Sequence, residues 1–147
     1  MERISFQEAP KGLYEVMQNV EKYLKGCGID HKLIHLIKIR ASQINGCGYC
    51  LDMHHKDAIK AGESFDRLYL LPAWEEAPCY TEEEKAALHF TDTLTKISES
   101  DVDKSYERMS QFYSKEQIAN ITLAICQINS WNRIAITFGN IPGSYKN

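Results

Sequence analysis

Two cysteines and a histidine stand close together as Cys47-Gly48-Tyr49-Cys50, with His54 four residues further on. A CxxC pair does one of two kinds of chemistry. It cycles between dithiol and disulfide, or it holds a metal through its thiolates. Thiolate is the reactive form of cysteine, and a neighbouring imidazole can accept the thiol proton. Cys47, Cys50 and His54 could instead supply three metal ligands, with His55, His31 or His35 as the fourth. No second CxxC at zinc-finger spacing supports that reading. The plainest possibility is that the cysteines are small core residues and His54 a hydrogen-bonded core histidine.

Helical geometry decides which of these groups can meet. At 100° per residue, Cys47 and Cys50 lie about 60° apart around a helix axis, and Cys50 and His54 about 40°. Leu51, Ala58 and Ala61 fall on the same arc, while Asp52, Lys56 and Lys60 lie opposite. Both thiols and the His54 imidazole are therefore expected to face inward, with His55 off to the side. The cysteines belong to the first turn, where unpaired N–H groups favour negative charge. A disulfide can close there with little backbone movement.

The remaining pattern is helical throughout, with no sustained two-residue alternation. Leu13, Val16, Met17, Val20, Tyr23 and Leu24 outline a first helix closed by Gly26 and Gly28. Asp30 is a candidate N-cap for a second, carrying Leu33, Ile34, Ile37, Ala41 and Ile44 and ending at Asn45-Gly46. The cysteine helix runs from near Cys47 to Gly62, and a short helix follows Ser64 and stops before Pro72. Thr81 with Glu84, and Ser114 with Gln117, are capping-box signatures for two more. A helix around Val102 to Phe112 lies between them. The longest apolar stripe is Ile118, Ile121, Ala124, Ile125, Ile128 and Trp131, ended by Gly139 and Pro142. The expected fold is all-α, a compact bundle of about six to seven helices forming one domain over residues 1–147. Without strands, the CxxC pair does not belong to a thioredoxin fold.

Composition agrees with this reading. The chain is 44% apolar and 25% charged, with 17 basic and 20 acidic side chains for a net charge of −3. Scattered basic residues leave no electrostatic footprint for nucleic acid. The first 25 residues hold Glu2, Glu8 and Glu15 and no apolar block, and no apolar run is long enough to span a membrane. A cytoplasmic protein is expected. Five cysteines, about 3% of the chain, are too few for a disulfide scaffold, so in a reducing compartment the pair reads as a redox centre or a metal site rather than a structural staple.

The run Ile39-Arg40-Ala41-Ser42-Gln43-Ile44-Asn45-Gly46-Cys47-Gly48-Tyr49-Cys50-Leu51-Asp52-Met53-His54 resembles the core motif of the carboxymuconolactone decarboxylase family. More closely, it resembles that family's alkylhydroperoxidase D (AhpD)-like branch. Leu70-Leu71-Pro72-Ala73-Trp74-Glu75-Glu76-Ala77-Pro78 and Ile128-Asn129-Ser130-Trp131-Asn132-Arg133 extend the likeness over most of residues 30–135.

The resemblance implies a helical protomer assembling into trimers or hexamers. It also implies a thiol peroxidase in which Cys50 meets the hydroperoxide, Cys47 resolves it and His54 accepts the proton. Sulfenic acid would form first and condense to a disulfide, which an external dithiol or a disulfide reductase of lipoyl or thioredoxin type would reduce. No cofactor is implied, and neither haem nor flavin signatures appear. Lactone decarboxylases of the wider family typically lack the cysteine pair. A non-redox enzyme acting on a small carboxylated lactone remains the alternative within the family.

Two positions depart from the pattern. The family's peroxidases commonly carry a glutamate twelve residues before the first cysteine, and here that residue is His35. Some members have a histidine between the cysteines, where this chain has Tyr49. His31, His35, Lys38 and Ser42 form one stripe of the otherwise apolar second helix. His35 either replaces the carboxylate as a proton relay or faces solvent. Cys126 is expected in the core, Cys27 and Cys79 near the surface, and Asn129 and Asn132 as ties between the last helix and its neighbours. Trp74, Tyr80 and Trp131 are read as core aromatics that could also line a pocket.

Overall fold

The computed structural model describes residues 2–146; Met1 and Asn147, the ends of the domain expected above, lie outside them. Seven α-helices make up the described residues, with no strand among them. They are α1 (Lys11–Gly26), α2 (His31–Asn45), α3 (Gly48–Lys60), α4 (Phe65–Leu70), α5 (Glu82–Thr95), α6 (Val102–Met109) and α7 (Lys115–Phe138). Two single 3₁₀ turns, Leu71–Ala73 and Ile97–Glu99, follow α4 and α5. Pro72 sits in the first of these rather than simply beyond a helix end.

Local chemistry sets the boundaries. Asp30, Ser64, Thr81, Asp101 and Ser114 each accept a backbone N–H at the start of a helix. Both expected capping boxes are complete, Thr81 with Glu84 and Ser114 with Gln117. Gly139 ends α7 in the left-handed conformation (φ 76°), which glycine adopts without a Cβ clash.

Helix α2 is the centre of the molecule, packing against α3, α5 and α7 together. Ile34 and Ile37 meet Ala86, Phe90, Ile121 and Ile125 in one apolar cluster. On its other side Leu36 and Ile39 meet Ala58, Leu71, Trp74 and Leu88. Helix α1 is more loosely held: Leu24 is its one buried residue, and Val16 and Tyr23 on the apolar stripe are exposed.

A ladder of polar side chains fastens α2 to α7 near the end that carries the cysteines. Asn45 Nδ2 donates to Asn132 Oδ1 at 2.9 Å and to Asn129 Oδ1 at 3.0 Å. Asn132 Nδ2 donates to Ser42 Oγ at 2.9 Å, and Ser42 donates to the Lys38 carbonyl at 2.7 Å. Asn132 is fully buried, so its amide cannot exchange these partners for water. Asn132→Ala takes one buried partner from each of Ser42 and Asn45, which keep only the Lys38 carbonyl and Asn129, and is expected to cost about 1–3 kcal/mol. Urea unfolding checks this, and a loss below about 0.5 kcal/mol, the level of an ordinary surface change, would show that the ladder does not hold the helices together.

Candidate active site

The turn between α2 and α3 brings the cysteines to the interior. Gly46 closes α2 in the left-handed conformation (φ 67°), and its N–H returns to the Gln43 and Ser42 carbonyls. The Cys47 N–H then donates to the Ser42 carbonyl at 3.0 Å. Cys47 itself is the N-cap of α3, its Sγ accepting the Cys50 N–H at 3.4 Å. With Cα atoms 5.4 Å apart, Cys47 and Cys50 are joined as a disulfide. Both are buried, packed against Ala41 of α2 and Ile128 and Ala135 of α7. The chain beyond α7 folds back over this turn so closely that a Cβ on Gly48 would lie 2.9 Å from Pro142 Cγ. A cavity of about 320 Å³ opens here, bounded by Cys47, Tyr49, Ala135, Asn140 and Pro142 among others. Cys47 borders it, and Cys50 does not.

His54 lies one helical turn beyond Cys50, and its side chain is buried with neither ring nitrogen hydrogen-bonded. Buried polar groups in native proteins are nearly always partnered, so this imidazole is not a satisfied core histidine. Burial foremost, then the Lys38 ammonium and the His35 and His55 rings, hold it well below the ordinary value of 6.5. It is neutral at neutral pH, with a lone pair free to take a proton. His35 of α2 faces it, the ring centroids 5.9 Å apart. His35 does not simply face solvent: it is half-buried, with its Nδ1 enclosed and unpartnered. Burial and Lys38 lower its pKa too, against the opposing pull of Asp57 and Glu21.

Cys47, Cys50, His54 and His35 are thus brought into one region. The other histidines considered as ligands stay apart. His31 is exposed, its Nε2 on the Lys25 carbonyl at 3.1 Å, and His55 Nδ1 donates to the Leu51 carbonyl at 2.7 Å. Among the described residues no three His, Cys, Asp or Glu side chains are grouped to hold a metal ion. Cys126 is exposed rather than core, because it points away from the face of α7 formed by Ala124, Ile125 and Ile128. Ala61, placed on the inward arc by the wheel, is exposed because α3 has already ended at Lys60. Cys27 and Cys79 are half-buried. Trp74 and Tyr80 are core, and Trp74 also walls a separate polar cavity of about 400 Å³ beside the Arg40–Asp92 ion pair.

Two features escape sequence reasoning. Glu21 of α1 pairs with Lys38, and nothing in the spacing of the chain links them. The contact of Pro142 on Gly48 is equally remote in sequence. The signal that was available is Lys38 itself, a charged residue on a stripe of an otherwise apolar helix. No helix among the described residues is long and apolar enough to cross a membrane.

Known proteins share this sequence and fold. The uncharacterised protein YdfG of Bacillus subtilis (strain 168) is 47% identical over 145 residues, covering 97% of this chain and 98% of that protein. A crystal structure from Agrobacterium tumefaciens matches with a TM-score of 0.93 and 40% identity over 99% of this chain and all of that one. That protein is of unknown function, with a provisional description as the antioxidant defence protein AhpD. The debrominase Bmp8 shares the fold at 19% identity, with a TM-score of 0.83 over 90% of this chain and 72% of its own. Residues 11–93 match the carboxymuconolactone decarboxylase family, and with that span and these relatives the chain belongs to it.

Proposed function

We propose that this protein is a thiol-dependent hydroperoxide reductase, with Cys50 as nucleophile, Cys47 as resolving cysteine and His54 as base. The observation that carries the reading is the buried imidazole of His54, unpartnered at both nitrogens and one turn from a cysteine of the disulfide pair. An enclosed neutral base beside a thiol is the arrangement general base catalysis requires.

In the reduced protein His54 takes the Cys50 proton. The thiolate attacks one oxygen of the hydroperoxide, the O–O bond breaks, and the departing alkoxide recovers the proton from the imidazolium and leaves as alcohol. Cys50 is now a sulfenic acid. The Cys47 sulfur attacks it, water leaves, and the disulfide forms. His35 relays protons between His54 and solvent, in the position where the family's peroxidases commonly carry a glutamate. An external dithiol closes the cycle. One of its thiolates attacks Cys47, the sulfur that borders the cavity, and Cys50 departs as thiolate. The donor's second thiol then displaces Cys47 and leaves as the donor disulfide. A lipoyl-type arm or thioredoxin-like protein has the required chemistry. We further read the protein as a homo-oligomer, trimer or hexamer, and as cytoplasmic.

Peroxide consumption with a dithiol donor tests the assignment. Cys50→Ser is expected to abolish turnover, and Cys47→Ser to allow a single oxidation without cycling. His54→Gln is expected to slow reduction by about 10²–10⁴-fold, the usual contribution of a positioned base. Peroxide reduction that survives Cys50→Ser contradicts the reading.

The neutral imidazole also shapes stability. The unfolded chain protonates His54 near 6.5, whereas the folded protein resists until well below that value. Between the two the unfolded state binds the extra proton, so stability falls as pH drops through that window. The slope contributed is at most about 1.4 kcal/mol per pH unit, and it vanishes above pH 7. Urea unfolding from pH 7.5 to 5 should show a shallower decline for His54→Gln than for wild type. Parallel curves would mean that His54 is not buried in the neutral form.

A further inference from the structure

The chemistry above leaves one buried charge unused. Lys38 is 5% exposed, and lysine is almost never so enclosed unless paired. Its Nζ donates to Glu21 Oε2 at 2.5 Å, and Glu21 Oε1 accepts the Trp131 indole N–H at 2.9 Å. Helices α1, α2 and α7 thus meet around one ion pair. Such a pair is a poor device for stability, since an apolar pair of similar volume commonly does as well without the desolvation cost. Its position gives it another use. Lys38 follows His35 by three residues on α2 and so shares its face, and that face meets His54. The ammonium, held by Glu21, is therefore on the side of α2 that carries His35 and acts through space on both imidazoles, whose enclosed nitrogens have no hydrogen-bond partner.

We propose that Lys38 is a positioning residue for proton transfer at the dithiol, its buried ammonium keeping the His35–His54 pair uncharged so that a base is always available. Glu21 is the counter-ion that lets Lys38 remain charged while buried. The inference rests on the reading of His54 as the base. It also explains how a chain with His35 in place of a carboxylate avoids a relay that is charged at rest: a standing second positive charge near Lys38 is repelled, and a proton is held only in passing. The charges acting on the pair come from α1, α2 and α3. His54 feels Lys38 and His35 of α2 and His55 of its own helix. His35 feels Lys38 and His31 of its own helix, Asp57 of α3 and Glu21 of α1. The carboxylates oppose Lys38 at His35, and its remaining neighbours act with Lys38.

Ring-nitrogen NMR titration of the disulfide form tests this without any peroxide. In wild type both imidazoles should protonate below the ordinary histidine value. Lys38→Met should raise the proton affinity of both rings by about tenfold, one pKa unit, and Lys38→Arg should keep the wild-type titration. The acid limb of the peroxide rate profile should move up in Lys38→Met and stay in Lys38→Arg.

A folded Lys38→Met protein with unmoved imidazoles overturns the proposal, as does Lys38→Arg behaving like Lys38→Met. If Lys38→Met does not fold, the wild-type titration still decides. An ordinary His35 or His54 contradicts the proposal, and two rings that both protonate below the ordinary value support it. Failure of wild type to reduce peroxide would sink the functional reading while leaving this electrostatic result intact, so the two failures are distinguishable.

Discussion

The position of the first turn of α3 governs the rest of the structure. Cys47 must cap that helix, and Cys50 and His54 must follow on its inward face, for the sulfurs and the imidazole all to be buried. Two constraints fix the turn: the left-handed Gly46, which reverses the chain within one residue, and the buried Asn45–Asn132–Ser42 ladder to α7. Release of either would let α3 slide or rotate, and a rotation of one residue, 100°, would carry His54 off the inward face. The backbone's close approach at Gly48 and Pro142 adds a third restraint from the far end of the chain.

Within that frame the site is organised by desolvation. An imidazole in water is indifferent near neutrality, half protonated and hydrogen-bonded to solvent. Enclosed at His54, without partners, it loses the charged form and keeps its basic lone pair. The fold meets the cost of burying this polar group through apolar packing on both sides of α2. Lys38 and Glu21 add a fixed pair of charges next to the rings, so the electrostatics depend on three helices and not on the CxxC motif alone. The two sulfurs also differ: Cys47 borders an open cavity and Cys50 does not.

Most of the fold was legible because helix starts are chemical and local. Capping boxes at Thr81 and Ser114, the Asp30 cap and the Gly46 and Gly139 stops are all written within four residues of where they act. The inward arc of Cys47, Cys50 and His54 followed from helical period alone. What period cannot give is the neighbour across the interface. The stripe His31, His35, Lys38 and Ser42 was visible, yet its ends differ completely: His31 is exposed, whereas Lys38 and Ser42 are buried. That His35 meets His54, and that Lys38 meets a glutamate 17 residues earlier, depends on how α1 and α3 pack on α2. Cys126 was misplaced for a related reason. It is adjacent in sequence to the buried Ile125 but lies about 100° around the helix from it.

The central claim is that Cys50, activated by His54, is the sulfur that meets a hydroperoxide. Peptide mass mapping of reduced Cys47→Ser protein after one equivalent of an alkyl hydroperoxide, in the presence of a sulfenic acid trap, addresses it directly. A single adduct on Cys50, with Cys27, Cys79 and Cys126 unmodified, is the predicted result. Adducts spread over the three other cysteines, or none on Cys50 while the peroxide is consumed, would contradict it.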